Sequence, residues 1–293
     1  MLHNRLPAQG LHSYQLPPYP DTALTAGQPM KIRLFLLATL ILVSGCDKTP
    51  TGRDQLALIP ESMMAQFGSQ AFLQMQQQVP ASENTSRNAR VQCIAREILL
   101  EVGDRFPGTP MPDTWEIVLF DDPTPNAFAL PGGKIGVNQG LLDVAGNDAQ
   151  LAAVIGHEVA HVLARHGNER LTQELGIKAV LLLVGLFSEG DGDSERIIQA
   201  LGLGAHLGIA LPFSRAHEEE ADVMGLELMA SAGFDPREST ELWRNMAAAG
   251  DGQPLEFLST HPNHESRIKA LEERMEVALP LYQRTSPANC ESP

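Results

Sequence analysis

Apolar positions recur at helical spacing through residues 60–79, where Met64, Phe67, Ala71 and Met75 share one face. They do so again through residues 84–102, with Val91, Ile94, Ala95, Ile98 and Leu99. Side chains three and four apart lie on the same side of a helix, so both stretches are expected as helices with one buried face. The period then changes. Residues 115–120 form a β-rich run bounded by Pro112 and Pro123, and residues 126–130 and 134–137 flank Pro131-Gly132-Gly133, which reads as a hairpin turn. After Gly140 the pattern is helical again, punctuated by Gly and Pro. Helices, a small antiparallel sheet and further helices without a long linker predict a single, mostly helical α+β domain over residues 60–293. The apolar stretches 179–187 and 201–213 are read as core helices. The first is shorter than the roughly 20 residues a membrane span needs, and Gly202, Gly204, His206 and Gly208 interrupt the second. The acidic, Gly-rich segment 188–194 between them is expected as a solvated loop.

Composition alters this picture at the N-terminus. Residues 1–29 hold five of the 21 prolines and no sustained apolar run, and are expected to be an unstructured upstream extension. Lys31 and Arg33 then precede an apolar run of about ten residues that closes on Val43-Ser44-Gly45-Cys46. Residues 30–45 thus resemble a bacterial lipoprotein signal peptide. The resemblance implies lipidation of Cys46, residues 46–59 as a lipid-anchored linker, and a periplasmic protein held at a membrane, with Asp47 favouring the inner membrane over the outer. Export to an oxidising compartment would allow Cys93 and Cys290 to pair. A buried free thiol at Cys93 is the equal alternative. The 21 Lys+Arg against 36 Asp+Glu give a formal charge of −15, which leaves no basic surface for nucleic acid. Three cysteines without a C-x-x-C pair exclude a disulfide scaffold.

The most informative segment is His157-Glu158-Val159-Ala160-His161. Histidines four apart lie about 400° round a helix and about 6 Å along it, so two imidazole nitrogens can converge on one ion. Glu158, about 100° further round, can then meet a water on that ion. The flanking Ala, Val, Ile and Leu bury this helix, and buried ionisable side chains need a partner such as a divalent cation to offset their desolvation. Catalytic zinc takes three protein ligands and leaves a position for water. The third is sought in residues 214–222, where Glu218 and Asp222 again stand four apart. One carboxylate can bind the ion, and the other can accept a hydrogen bond from the far nitrogen of a ligating histidine. Glu219 points away, to solvent. His166 falls about 140° off the metal face of a continuous helix and is read as structural or exposed, and His217 is given no site role.

Together these motifs resemble the gluzincin family of zinc metallopeptidases that includes the CAAX prenyl protease, HtpX, the mitochondrial inner-membrane protease Oma and BepA-like periplasmic lipoproteins. Thr51-Gly52-Arg53, residues 126–133, 157–161 and 214–222, Thr260-His261-Pro262 and Ser266-Arg267 fall in the family's order. The resemblance implies a zincin-type fold with one Zn²⁺ per chain on His157, His161 and Glu218. Asp222 would stand behind a ligand, Glu158 would be the general base, and His261 and Arg267 would lie at the catalytic centre. The strand through Asn126, Ala127, Phe128 and Ala129 is expected to bind an extended substrate through its backbone. The chain departs from the integral-membrane members in lacking a full spanning helix, which argues against prenyl-CAAX processing. The expected function is hydrolysis of unfolded or misassembled envelope proteins, so polypeptides are the expected partners. The alternative is an assembly factor that holds clients in the same cleft with little proteolysis. A deformylase-like amidase would need a cysteine ligand, and Cys93 has no supporting motif.

Overall fold

The computed structural model describes residues 46–188, 213–249, 256–261 and 264–290. The upstream extension, the signal-peptide segment, most of the acidic loop and residues 201–212 of the second apolar stretch lie outside the described residues. Helices α1 (Glu61–Gln78) and α2 (Thr85–Leu100) occupy the two periodic stretches, and a short α3 (Val102–Arg105) follows. Asn84 caps α2 by accepting the Arg87 N–H at 3.0 Å.

Strands β3 (Glu116–Phe120), β4 (Ala127–Leu130) and β5 (Lys134–Asn138) form one sheet in the order β3-β5-β4. The β4–β5 hairpin is antiparallel, with Phe128 opposite Gly136. The chain crosses from β3 to the far side of the sheet before returning through β5, so β3 joins β5 in parallel and extends the antiparallel pair into a mixed sheet. Among the described residues β4 is therefore an edge strand.

The remaining elements are α4 (Leu141–Val144), α5 (Asp148–Leu163), α6 (His166–Ser188), α7 (Arg215–Ser231), α8 (Glu238–Ala249), α9 (Glu256–Thr260) and α10 (His264–Arg284). Residues 179–187 are helical and lie in the part of α6 beyond a kink at Gly176, where φ is 71°. The central helix is α5, which packs on α2, α7, α8 and β4 and buries Leu151, Val154, Ile155 and Val159. It meets α7 at two glycines. A Cβ on Gly225 would lie 2.7 Å from the His157 backbone nitrogen, and one on Gly156 would lie 2.9 Å from the Gly225 carbonyl oxygen. No side chain fits between the two helices there, so their backbones come into direct contact. Among the described residues, no helix is long and apolar enough to cross a membrane.

Residues 46–59, expected as a lipid-anchored linker, fold onto the domain. β1 (Cys46–Lys48) and β2 (Asp54–Leu56) form an antiparallel hairpin, and Leu58 and Ile59 join Met63, Met64, Phe67 and Leu171 in one apolar cluster. The physical reason is the apolar run Leu56-Ala57-Leu58-Ile59, which gains by burial and draws the segment onto the domain as a strap.

Cys93 and Cys290 are joined as a disulfide with Cα atoms 5.6 Å apart and a sequence separation of 197, so of the two alternatives the structure holds the pair. Closing so long a loop restricts the unfolded chain. Replacing both cysteines by serine is expected to cost about 2–4 kcal/mol of stability, read as a lower urea midpoint than that of the oxidised wild type. Equal midpoints would show that the bond contributes no stability.

Candidate metal centre

Three elements deliver the donors. His157 and His161 project from one face of α5, Glu218 comes from the first turn of α7, and His261 follows directly on α9. All four are buried, and one donor atom from each lies within 4.8 Å of the others. His157 Nε2 is 3.0 Å from His161 Nε2 and 3.2 Å from His261 Nδ1. Glu218 Oε1 is 3.0 Å from His261 Nδ1 and 3.5 Å from His161 Nε2. The glycine contact between α5 and α7 is what brings the carboxylate to the two histidines.

The protonation pattern fits a cation. His157 Nδ1 faces Asp222 Oδ1 at 3.1 Å. Arg267 Nη2 is also 3.1 Å from Nδ1 but donates to the same Asp222 oxygen at 2.6 Å, so Nδ1 carries the proton that the carboxylate accepts and Nε2 turns a lone pair toward the other donors. Burial lowers the basicity of both His157 and His161, and the Arg267 charge adds to this at His157, so both imidazoles are neutral, the form that binds metal. Burial opposes the charge on Glu218, but His261 and Arg267 outweigh it and hold the carboxyl well below the usual range. Neutral imidazole nitrogens and a carboxylate, converging in a buried space, make the donor set of a catalytic zinc site.

Glu158 lies beside the donors without joining them. Its Oε1 is buried, has no hydrogen-bond partner among the described residues, and sits 3.5 Å from His261 Nε2. Burial pushes its carboxyl up to about 7, with His261 pulling the other way, and it accepts a hydrogen bond from the Ala129 backbone N–H. Arg267 stands behind the ligands, almost fully buried. Its Nε and Nη2 bind the two Asp222 oxygens at 2.7 and 2.6 Å, its Nη1 is 2.6 Å from Glu218 Oε2, and its guanidinium lies over the Trp243 ring.

Of the other expected site residues, Asn126 precedes β4, and Ala127, Phe128 and Ala129 lie on it. Asn138 donates to the Asn126 carbonyl at 2.9 Å, and ladder bonds alternate along an antiparallel pair, so the backbone groups of Ala127 and Ala129 point away from β5, with Ala127 buried. The Phe128 ring turns away, onto Phe72 and Phe120. A cleft of about 450 Å³ opens beside Ala129 and His161, lined also by Met64, Pro131, Arg165 and Phe213. Cys46 opens β1, remote in sequence from these residues.

A second group was missed in the sequence. His166 is fully buried, with Nδ1 2.9 Å from His161 Nδ1 and Nε2 3.2 Å from Glu220 Oε2. The angle that excluded it assumed a continuous helix. In fact α5 ends at Leu163 with Ala164 as its cap, and Arg165 adopts a left-handed conformation with φ 57°, which folds His166 back against His161. His217 stacks on His166 and approaches Glu169, and Arg53 binds both Glu169 and Glu220. The available signal was Thr51-Gly52-Arg53, a motif without an assigned partner.

Burial alone would raise the carboxyls of Glu169 and Glu220. Hydrogen bonds from His217 and Arg53 to Glu169, and from His166, Thr51 and Arg53 to Glu220, more than reverse this and hold both at about 2 against an ordinary 4.5. A depressed folded value stabilises the protein above the unfolded value, and this contribution is lost as pH falls from 4.5 toward 2. Glu220→Gln is expected to lower the urea midpoint at pH 6 and to flatten its fall across that acid range. A parallel downward shift at every pH would contradict the assignment.

The model of Peptidase family M48 matches residues 85–275. Among curated proteins, "Mitochondrial metalloendopeptidase OMA1" of Schizosaccharomyces pombe is 36% identical over 61% of this chain and 58% of its own length. "Metalloendopeptidase OMA1, mitochondrial" of Danio rerio is 32% identical over 88% of this chain and 55% of its own. "Beta-barrel assembly-enhancing protease" of Escherichia coli K12 is 30% identical over 55% of this chain and 34% of its own. The chain thus spans about half, or less, of the curated relatives it matches. These relatives correct the expected periplasmic, lipid-anchored location, because the two with the higher identities are mitochondrial enzymes. The expectation rested on a short motif before the domain, whereas the similarity lies in the domain, which proteins of different compartments share.

Proposed function

The chain belongs to peptidase family M48, and from that premise we propose that it is a zinc metalloendopeptidase acting on extended polypeptides. The observation that carries this reading is the convergence of four buried donors within 4.8 Å, beside a carboxylate that does not join them. His157, His161 and Glu218 would hold the ion. Zinc, when bound, lowers the pKa of water and polarises a carbonyl. Glu158, with its carboxyl at about 7, is suited both to take a proton from the attacking water and to return one to the leaving nitrogen. Asp222, clamped by Arg267, fixes the tautomer of His157.

Substrate adds as a strand along the side of β4 that faces away from β5, where the Ala129 carbonyl is available and the Ala129 N–H is held by Glu158, with little side-chain selection. That mode suits unfolded or misassembled proteins. His261, whose Nδ1 lies 3.2 Å from His157 Nε2 and 3.0 Å from Glu218 Oε1, would compete with water for the ion and would have to withdraw for hydrolysis, which would make the closed arrangement latent. This same closure favours a second reading, in which the cleft holds clients with little cleavage. The test of the main reading is metal analysis with casein hydrolysis. One zinc per chain is expected, with activity lost to a chelator, restored by Zn²⁺ and raised by His261→Ala. Zinc-loaded wild type and His261→Ala that both leave casein intact would favour the holding role.

A further inference from the structure

The zinc-peptidase reading makes His161 a ligand, and the structure gives that ligand a support reaching to the N-terminal strap. Resting on that reading, we propose that Arg53 is a positioning residue for His161, acting through Glu220 and His166. His161 turns Nε2 to the donor cluster, so its Nδ1 faces the rear, 2.9 Å from His166 Nδ1. Two ring nitrogens at this distance share one proton. His166 Nε2 is 3.2 Å from Glu220 Oε2, which only accepts, so His166 carries its proton on Nε2 and accepts at Nδ1. The direction of the chain is then determined. His161 Nδ1–H donates to His166, and His166 Nε2–H donates to Glu220. This tautomer leaves His161 Nε2 a free lone pair. Without the Glu220 charge, His166 can carry its proton on Nδ1 instead, which drives the His161 proton onto Nε2 and blocks it as a ligand.

Glu220 is in turn held by the strap. Arg53 Nε donates to its Oε2 at 2.7 Å, and the Thr51 hydroxyl donates to its Oε1. The other edge of the guanidinium binds Glu169 through Nη1 and Nη2 at 3.1 and 2.8 Å. Glu169 also faces His217 Nε2 at 3.1 Å, and the His217 ring stacks on His166 with centroids 4.5 Å apart. His166 is thus clamped on both edges and one face. Arg53 itself closes a tight turn, in which Thr49 N–H donates to the Arg53 carbonyl and Gly52 N–H to the Thr49 carbonyl, both at 2.8 Å. The two histidine ligands are therefore supported alike. His157 ends on the Asp222–Arg267 pair, and His161, through one more imidazole, on the Glu220–Arg53 pair.

The test is Zn²⁺ affinity of the full chain, measured by competition with a chromophoric chelator, for Arg53→Gln, Arg53→Lys, His166→Phe and the Arg53→Gln/His166→Phe double variant. Loss of a partner behind a ligand typically weakens metal binding about 10–100-fold, and that is expected for Arg53→Gln and for His166→Phe. Because both act on one path, the double variant should bind no more weakly than the weaker single. Arg53→Lys, which keeps the charge at Glu220, should recover part of the loss. If His166→Phe does not fold, Glu220→Gln takes its place in the cycle. Wild-type affinity in Arg53→Gln overturns the proposal, as do losses that multiply in the double variant, the signature of separate structural damage. Absence of zinc from the wild type overturns the zinc-peptidase reading and this proposal together, whereas zinc-loaded wild type with an indifferent Arg53→Gln removes this proposal alone.

Discussion

Glu158→Gln is expected to keep one zinc per chain and to lose about 10²–10⁴-fold in kcat/KM on an unstructured polypeptide, the range a general base contributes. The substitution is nearly isosteric. Its amide oxygen can still accept the Ala129 N–H, and the carboxylate it replaces stands outside the donor set, so the ligands stay in place. What disappears is the capacity to take a proton. The same carboxyl sets the expected pH dependence. A protonated Glu158 cannot act as base, so activity falls as pH drops through its pKa. Burial places that near 7, and a bound dication favours the charged form and draws the acid limb lower. The limb should be absent from the residual activity of Glu158→Gln. Parity of the variant with wild type, at equal zinc content, would remove Glu158 from the reaction.

Gly225→Val is expected to lower stability and metal affinity together. Even the first added carbon would lie 2.7 Å from the His157 nitrogen and 2.9 Å from the Gly156 carbonyl carbon, backbone atoms that no rotamer can move aside. Helices α5 and α7 must separate, at a cost of about 1–3 kcal/mol or more for overpacking. Separation also draws Glu218 and Asp222 away from His157 and His161, so zinc affinity should fall together with the urea midpoint. Gly103 in α3 is the control, since a Cβ there meets nothing within 4 Å. Gly103→Ala should be neutral or stabilising by up to about 1 kcal/mol. A Gly225→Val protein with the midpoint and zinc affinity of the Gly103→Ala protein would contradict the close approach.

The sequence by itself determined whatever depends on neighbours within a turn or a hairpin. The 3.6-residue period marked α1 and α2, the Pro131-Gly132-Gly133 turn marked β4 and β5, and the four-residue spacing put His157 and His161 on one face of α5. Glu218 and Asp222 were readable because they too stand one turn apart. Tertiary structure decided the rest. The parallel pairing of β3 with β5 depends on a crossover that strand patterns do not encode. His166 reached His161 only because one left-handed residue, Arg165, broke the helical projection. Arg53 meets Glu169 and Glu220 across 116 and 167 residues of chain. Periodicity reports which side of its own helix a side chain occupies. Which distant charge it meets there is settled by how the elements pack, and in this protein that packing supplies the groups standing behind His157 and His161.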